Sequence, residues 1–141
     1  MCISTADQLD ALRTQLGTIT GPVHVSARMG DRTSALNKHR SIEIIDVSVS
    51  EAGAVSSQAD VLQVEREYQI RWTVSFMESA TDAEALGFAT EIRNVMVGDL
   101  AFKRRHQLRY SGEEPAIERE GGIVSGIQTY TSARAMPASS V

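Results

Sequence analysis

Residues 61–77 read VLQVEREYQIRWTVSFM and alternate almost without a fault. Leu62, Val64, Tyr68, Ile70, Trp72, Val74 and Phe76 fall on one face. Gln63, Glu65, Glu67, Gln69, Arg71, Thr73 and Ser75 fall on the other. A period of two marks a strand with one buried and one wet face. At ~3.3 Å per residue this strand spans roughly 55 Å, well beyond the usual five or six residues. Arg66 alone interrupts the apolar face. Its charge is accommodated if the first part of the strand runs past the core and only residues 68–76 lie over it. The expectation is a compact body with a projecting β-arm, a shape suited to an assembly subunit.

Working outward, residues 41–50 form a second strand, with Ile42 and Ile44 on one side and Val47 and Val49 out of phase with them. One extra residue at Ile45-Asp46 explains the change of phase, so a β-bulge is expected there. Residues 51–60 (EAGAVSSQAD) are small and polar and read as a loop closing a long antiparallel hairpin. Upstream, Ser4 and Thr5 are good N-caps and Thr5 has capping-box spacing to Gln8. Leu9, Leu12 and Leu16 then share a helical face that Gly17 ends. Residues 22–27 (PVHVSA) read as a brief strand and residues 28–40 as a polar loop.

Downstream, Thr81-Asp-Ala-Glu84 is a capping box for a helix striped by Ala85, Leu86, Phe88, Ala89, Ile92, Val95 and Met96, with Gly98 at its end. A short strand at 107–110, a turn at Ser111-Gly112, a segment at 116–120 and a last strand at 123–133 complete the order. The fold class is α+β: a mostly antiparallel sheet with a long hairpin arm, packed against two helices. A single domain over residues 1–134 and a flexible tail over 135–141 are expected.

At 141 residues the chain fits one domain that buries roughly 68% of its unfolded surface. Its net charge of −4 lacks the basic excess of a general nucleic-acid binder. The single cysteine, Cys2, excludes an internal disulfide, so packing must hold the fold. The opening MCISTADQLDALRTQL has neither a basic start nor an apolar run, which points to synthesis in the cytoplasm.

His24, His39 and His106 stand too far apart for a close zinc-ligand pair, and no metal or cofactor is expected. No nucleophile elbow or phosphate-binding glycine loop is present, and no catalytic residue is assigned. Glu113, Glu114, Glu118 and Glu120 read as a solvated hairpin edge rather than acid–base machinery. Two basic groups remain. One is Arg28, Arg32, Lys38, His39 and Arg40, in or beside the first long loop. The other is Lys103, Arg104, Arg105 and Arg109, just after the second helix. Without interleaved aromatics they offer no base-stacking platform, and a solvated or inter-subunit salt-bridging face fits them better.

The layout resembles the tail terminator, or tail completion, proteins of long-tailed bacteriophages. The pieces that carry the resemblance are ADQLDALRTQL followed by GPVHVSA, the hairpin strand EREYQIRWTVSFM, the helix TDAEALGFATEIRNVM, and LRYSG, EREGG and the closing strand IVSGIQTYTSA. The closing strand departs from the pattern in carrying Gly126 and several threonines. The resemblance implies a structural virion protein, a subunit of a sixfold ring at the head-proximal end of the tail tube. Such a ring ends tube polymerisation and joins the tail to the neck, with self, tube protein and neck or connector protein as partners and DNA passing through. Neither an enzyme nor a membrane protein is implied. Under that reading, interface residues are expected at Arg28, Arg32, Lys38, Arg40, Glu65, Arg66 and Glu67. A lumen or DNA-facing role is expected for Lys103, Arg104 and Arg105. The competing readings are another phage neck or tail-tube subunit, a small α+β ligand-binding domain or enzyme, and a nucleic-acid module built on the 28–40 loop.

Overall fold

The computed structural model describes residues 3–29, 39–51, 61–75, 82–113, 118–120 and 123–137. The elements in chain order are α1 (Thr5–Leu16), β1 (His24–Val25), β2 (Arg40–Glu51), β3 (Val61–Ser75), α2 (Asp82–Arg93), a π-helical stretch (Asn94–Gly98), α3 (Leu100–His106), β4 (Leu108–Glu113), β5 (Glu118–Glu120) and β6 (Ile123–Pro137). All six of these strands join one sheet in the order β1-β2-β3-β6-β4, with β5 also on β6. Only the β1–β2 pair is parallel. The helices cover one face, which makes the α+β architecture expected from the sequence.

β3 is the centre of the sheet because its even-numbered residues form the floor of the core. Tyr68, Ile70, Trp72 and Val74 are all buried there, together with Leu12 and Leu16 of α1 and Ala85, Phe88, Ala89 and Ile92 of α2, and Val64 on the same face is buried as well. The odd-numbered side lies on the opposite face, where Glu43 and Arg71 are directly paired across β2 and β3 and their side chains meet at 3.1 Å. The expected bulge is present: Ile44 pairs with Ile70 and Asp46 with Gln69, so Ile45 is the extra residue. It brings Val47 and Val49 opposite Tyr68 and Arg66, on the same face as Ile42 and Ile44.

Several expectations are corrected. The arm is not a two-stranded hairpin, since β6 pairs with β3 along its whole described length, from Val61↔Pro137 to Ser75↔Ile123. Ala135, Met136 and Pro137 therefore belong to a strand and not to a tail. Arg40 begins β2 instead of ending a loop. Leu86 is half exposed and lies off the buried stripe of α2. An additional helix, α3, stands where none was expected, capped by Asp99 at its start and by Gln107 in a left-handed conformation (φ 52°) at its end. Ser111-Gly112 is a bulge within β4 and not a turn: Tyr110 pairs with Tyr130 and Gly112 with Thr129, leaving Ser111 extra. Gly112, at φ 130°, supplies the positive φ that an L side chain rarely adopts. Residues 30–38 of the expected 28–40 loop, residues 52–60 of the expected 51–60 loop, the capping Thr81, Phe76 and residues 138–141 lie outside the described residues.

Gly126 resolves the irregular closing strand. It lies opposite Trp72, and a Cβ at this position would sit 2.7–2.9 Å from the indole ring. The missing side chain is the space the tryptophan occupies, and Phe88 closes the other side with an edge-on ring at 6.4 Å. Gly126→Ala is expected to cost ~1–3 kcal/mol through overpacking. Gly87→Ala, at an open helical position, is expected to stabilise by up to ~1 kcal/mol. Urea unfolding of the two variants beside the parent chain checks both signs.

Candidate functional site

Arg66 is the residue the sequence reading placed on an exposed arm, and the structure buries it to 1% exposure. α1 sets down Gln8 over it, for Gln8 is held on the core-facing side of the helix with Leu12 and Leu16. Gln8 therefore is not a capping residue, and the cap is Ser4, whose Oγ accepts from the Asp7 amide at 3.1 Å. The Gln8 carbonyl oxygen accepts from Arg66 Nη1 at 3.1 Å and from the Tyr68 hydroxyl. That orientation turns its amide nitrogen toward Ser132 Oγ at 3.3 Å and toward Nδ1 of His106 at 3.4 Å, leaving Nδ1 as an acceptor. Arg66 Nη2 also donates to the Ile3 carbonyl at 2.9 Å. The charge is thus part of the core, tying α1 to β3, β6 and α3.

A second polar group lies under α2. The bulge at Ser111 rotates Glu113 into register with Gln128, on the helix side of the sheet. There Glu113 accepts from Trp72 Nε1 at 3.3 Å, from Arg93 at 3.1 Å and from Gln128 at 2.7 Å. Glu113 is a core anchor and not the solvated edge residue expected. Gln128 accepts from the Tyr130 hydroxyl at 2.6 Å, and burial pushes that phenol well above its usual pKa.

The remaining expected interface residues divide. Arg40 is an internal clamp: it donates to Glu91 and to the Thr20 carbonyl, both at 2.9 Å, and lies over the Phe88 ring. Arg28 is exposed just past β1, and Arg32 and Lys38 lie outside the described residues. Glu65 and Glu67 are half-buried on the face away from the helices, beside exposed Ser48 and Ser50 of β2.

Lys103, Arg104 and Arg105 stand exposed in the last turn of α3, where positive charge complements the helix dipole. Lys103, Arg104, Leu100, Leu108, Arg109 and Ala133 line an open groove of about 590 Å³. It lies where β4 ends against β6: Leu108 pairs with Ser132, and no described strand pairs with β6 beyond that point on this side. The other margin of the sheet is similar. β1 pairs with β2 only at Ser41 and Ile42, so residues 46–51 of β2 have no described strand on their outer edge. Among the described residues, no group of three His, Cys, Asp or Glu is placed to hold a metal ion. No described helix is long and apolar enough to cross a membrane.

No protein-family model matches this chain, and no curated protein does. Among solved structures it is similar to the sheath/tube terminator of PVC, an extracellular contractile injection system, seen in the extended state by cryo-electron microscopy. The TM-score is 0.48 and the identity 12%, over 100% of this chain and 60% of that one, so the chain spans about three-fifths of that terminator's length.

Arg66→Glu sets a carboxylate against the Gln8 and Ile3 oxygens and is expected to cost more than ~4 kcal/mol. Loss of the cooperative melt by circular dichroism is the expected result; a parent-like melt means the buried network carries little stability. A different signal comes from Asp99. Hydrogen bonds from the Phe102 amide and then the Gln15 side chain hold its carboxyl below the ordinary 3.8. A lowered folded value gives stability that is complete above the unfolded pKa and is lost as pH falls through the folded one. The melting-temperature gap between the parent and Asp99→Ala is therefore expected to be constant near neutrality and to shrink below about pH 4.

Proposed function

We propose that this chain is the subunit of a closed homo-oligomeric ring, sixfold by the resemblance stated above, that caps the head-proximal end of a phage-type tail tube. The ring stops tube polymerisation, meets the tube protein on one side and the neck or connector on the other, and lets DNA pass. In this reading the protein resides in the virion, after assembly in the host cytoplasm, and performs no catalysis.

The observation that carries the reading is a pair of strand edges, on opposite margins of the three-stranded β2-β3-β6 region, that have no partner strand among the described residues. Unpaired edges are templates for another chain, and monomeric proteins usually cover or blunt them. Edges on opposite sides of one subunit join head to tail, and such contacts generate a ring where the rotation closes. Layout supports the same reading, since the long central strand, its following helix and the LRYSG strand all fall in the order that the terminator resemblance rests on.

Native mass spectrometry over a concentration series, with negative-stain images of the largest species, tests it. A discrete closed ring that shortens tubes when added to polymerising tube protein is the expected result. A chain that stays monomeric at every concentration, with and without tube ends, overturns it.

A further inference from the structure

The two open margins of the sheet differ in chemistry. The β2 margin is acidic. Asp46 is exposed there, and Glu65 and Glu67 lie on the adjacent strand, on the same face as Asp46. On its helix-facing side this margin carries Val49, which is 42% exposed although it lies opposite buried Arg66. The β6 margin is basic, with Lys103, Arg104 and Arg109 around a groove whose exposed leucine is Leu100, at 57%. Arg109 pairs with Thr131, which places it on the face away from the helices, like Asp46. Leu100 belongs to a helix and so lies on the helix side, like Val49. Each margin thus offers a charge on the outer face and an apolar side chain on the helix face, with the charges opposite in sign. The stretches without a described neighbour are similar in length, 46–51 on β2 and 133–137 on β6, and are offset along the sheet, lying level with residues 69–64 and 65–61 of β3, so matching them sets the second copy about four residues further along the strands.

We propose that the margin of β2 at residues 46–51 pairs with the margin of β6 at residues 133–137 of a second copy of this chain, seated in its Leu100–Arg109 groove. The proposal rests on the ring reading and names its interface. Direction follows from topology. β2 and β6 are both antiparallel to β3, so they run the same way within one copy. A copy related by rotation about an axis inclined to the strands, as that offset requires, therefore presents its β2 parallel to the first copy's β6. Parallel pairing is slightly weaker per residue than antiparallel, and the charges supply selectivity for the correct margin. Like margins repel, acidic against acidic and basic against basic, which disfavours a two-fold dimer and favours the head-to-tail contact.

Charge-swapped chains test this directly. One variant carries Asp46→Lys and Val49→Lys; the other carries Lys103→Glu, Arg104→Glu and Arg109→Glu. All five positions are exposed, so parent-like melts are expected. Each variant alone is expected to self-associate at least about tenfold more weakly than the parent. An equimolar mixture restores rings, because both of its mixed interfaces again join opposite charges. As an independent readout, Asp46→Cys with Ala133→Cys, both on the outer face and opposite each other in this pairing, is expected in a Cys2→Ser background to give a covalent ladder of copies on oxidation. Parent rings with unaffected variants, or no rescue on mixing and no ladder, overturn the edge pairing while leaving the ring reading intact. Variants that still form rings but no longer bind tube ends assign these margins to the tube protein and also overturn it. A parent chain that never self-associates overturns both.

Discussion

The fold depends on a single buried amide. Gln8 is held at zero exposure between a helix and a sheet and has a filled bond on each side: its oxygen takes Arg66 and Tyr68, its nitrogen serves His106 and Ser132. Four elements converge there, so the position of α1 on the sheet is specified by direction as well as by apolar area. Hydrophobic burial of Leu12 and Leu16 would hold α1 down in several registers; the amide accepts one. Buried polar networks of this kind stabilise only when every member is satisfied, and each missing bond is costly in a low-dielectric interior. The arginine is consequently part of the same device. Its guanidinium is kept from water by α1, and its donors reach the Ile3 carbonyl as well as Gln8, which ties the start of the chain to the middle of the sheet.

Two single-residue insertions then decide what faces where. The extra Ile45 in β2 keeps four aliphatic residues on the core side of a twelve-residue strand. The extra Ser111 in β4 does the same for a charged residue, carrying Glu113 under Trp72 where it meets Arg93 and Gln128. Without that insertion Glu113 would alternate onto the outer face and the indole N–H would lose this acceptor. A bulge is thus used once to extend an apolar floor and once to place an acid beneath it. The π-helical stretch between α2 and α3 has a comparable local support, as Gln15 donates to the Val95 carbonyl at 2.7 Å.

Much of this was legible in the chain because it is periodic. Strict alternation identified β3, the phase change at Ile45 identified its partner's bulge, and the leucine spacing identified α1. Arg66 and Glu113 differ from the expectation for a shared reason: a charge, one within an apolar pattern and one in an acidic stretch after a turn signal, was assigned to water, when each has a buried partner far away in sequence. Gln8 is fifty-eight residues from Arg66, and no local pattern records that distance. The warning signs were nevertheless present, since Arg66 sits in phase with Trp72 and Tyr68, and Gln8 in phase with Leu12. α3 escaped because its seven residues are too few for an apolar stripe and three of them are basic. Its one strong signal was Asp99, a capping residue directly after Gly98. Gly126 was noticed as a departure, and its cause lay across the sheet in the indole that needs its space.

The same central network bears on assembly. Because α1 covers Arg66 and β6 runs the full described length of β3, the central strand has no margin left for another chain. Strand-to-strand contact is thereby left to the outer margins of the sheet, among them the stretches of β2 and β6 that differ in charge. A symmetric pairing would bring like charges together, while a head-to-tail pairing joins unlike ones and leaves a new copy of each margin at its ends. Contacts of that kind propagate until they close or continue as a filament. Sheet twist turns each added strand by roughly 20–25° relative to its neighbour, so successive copies curve and cannot extend as a flat ribbon. Such contacts would yield a curved chain of copies, and the proposed ring is the case in which that curve closes.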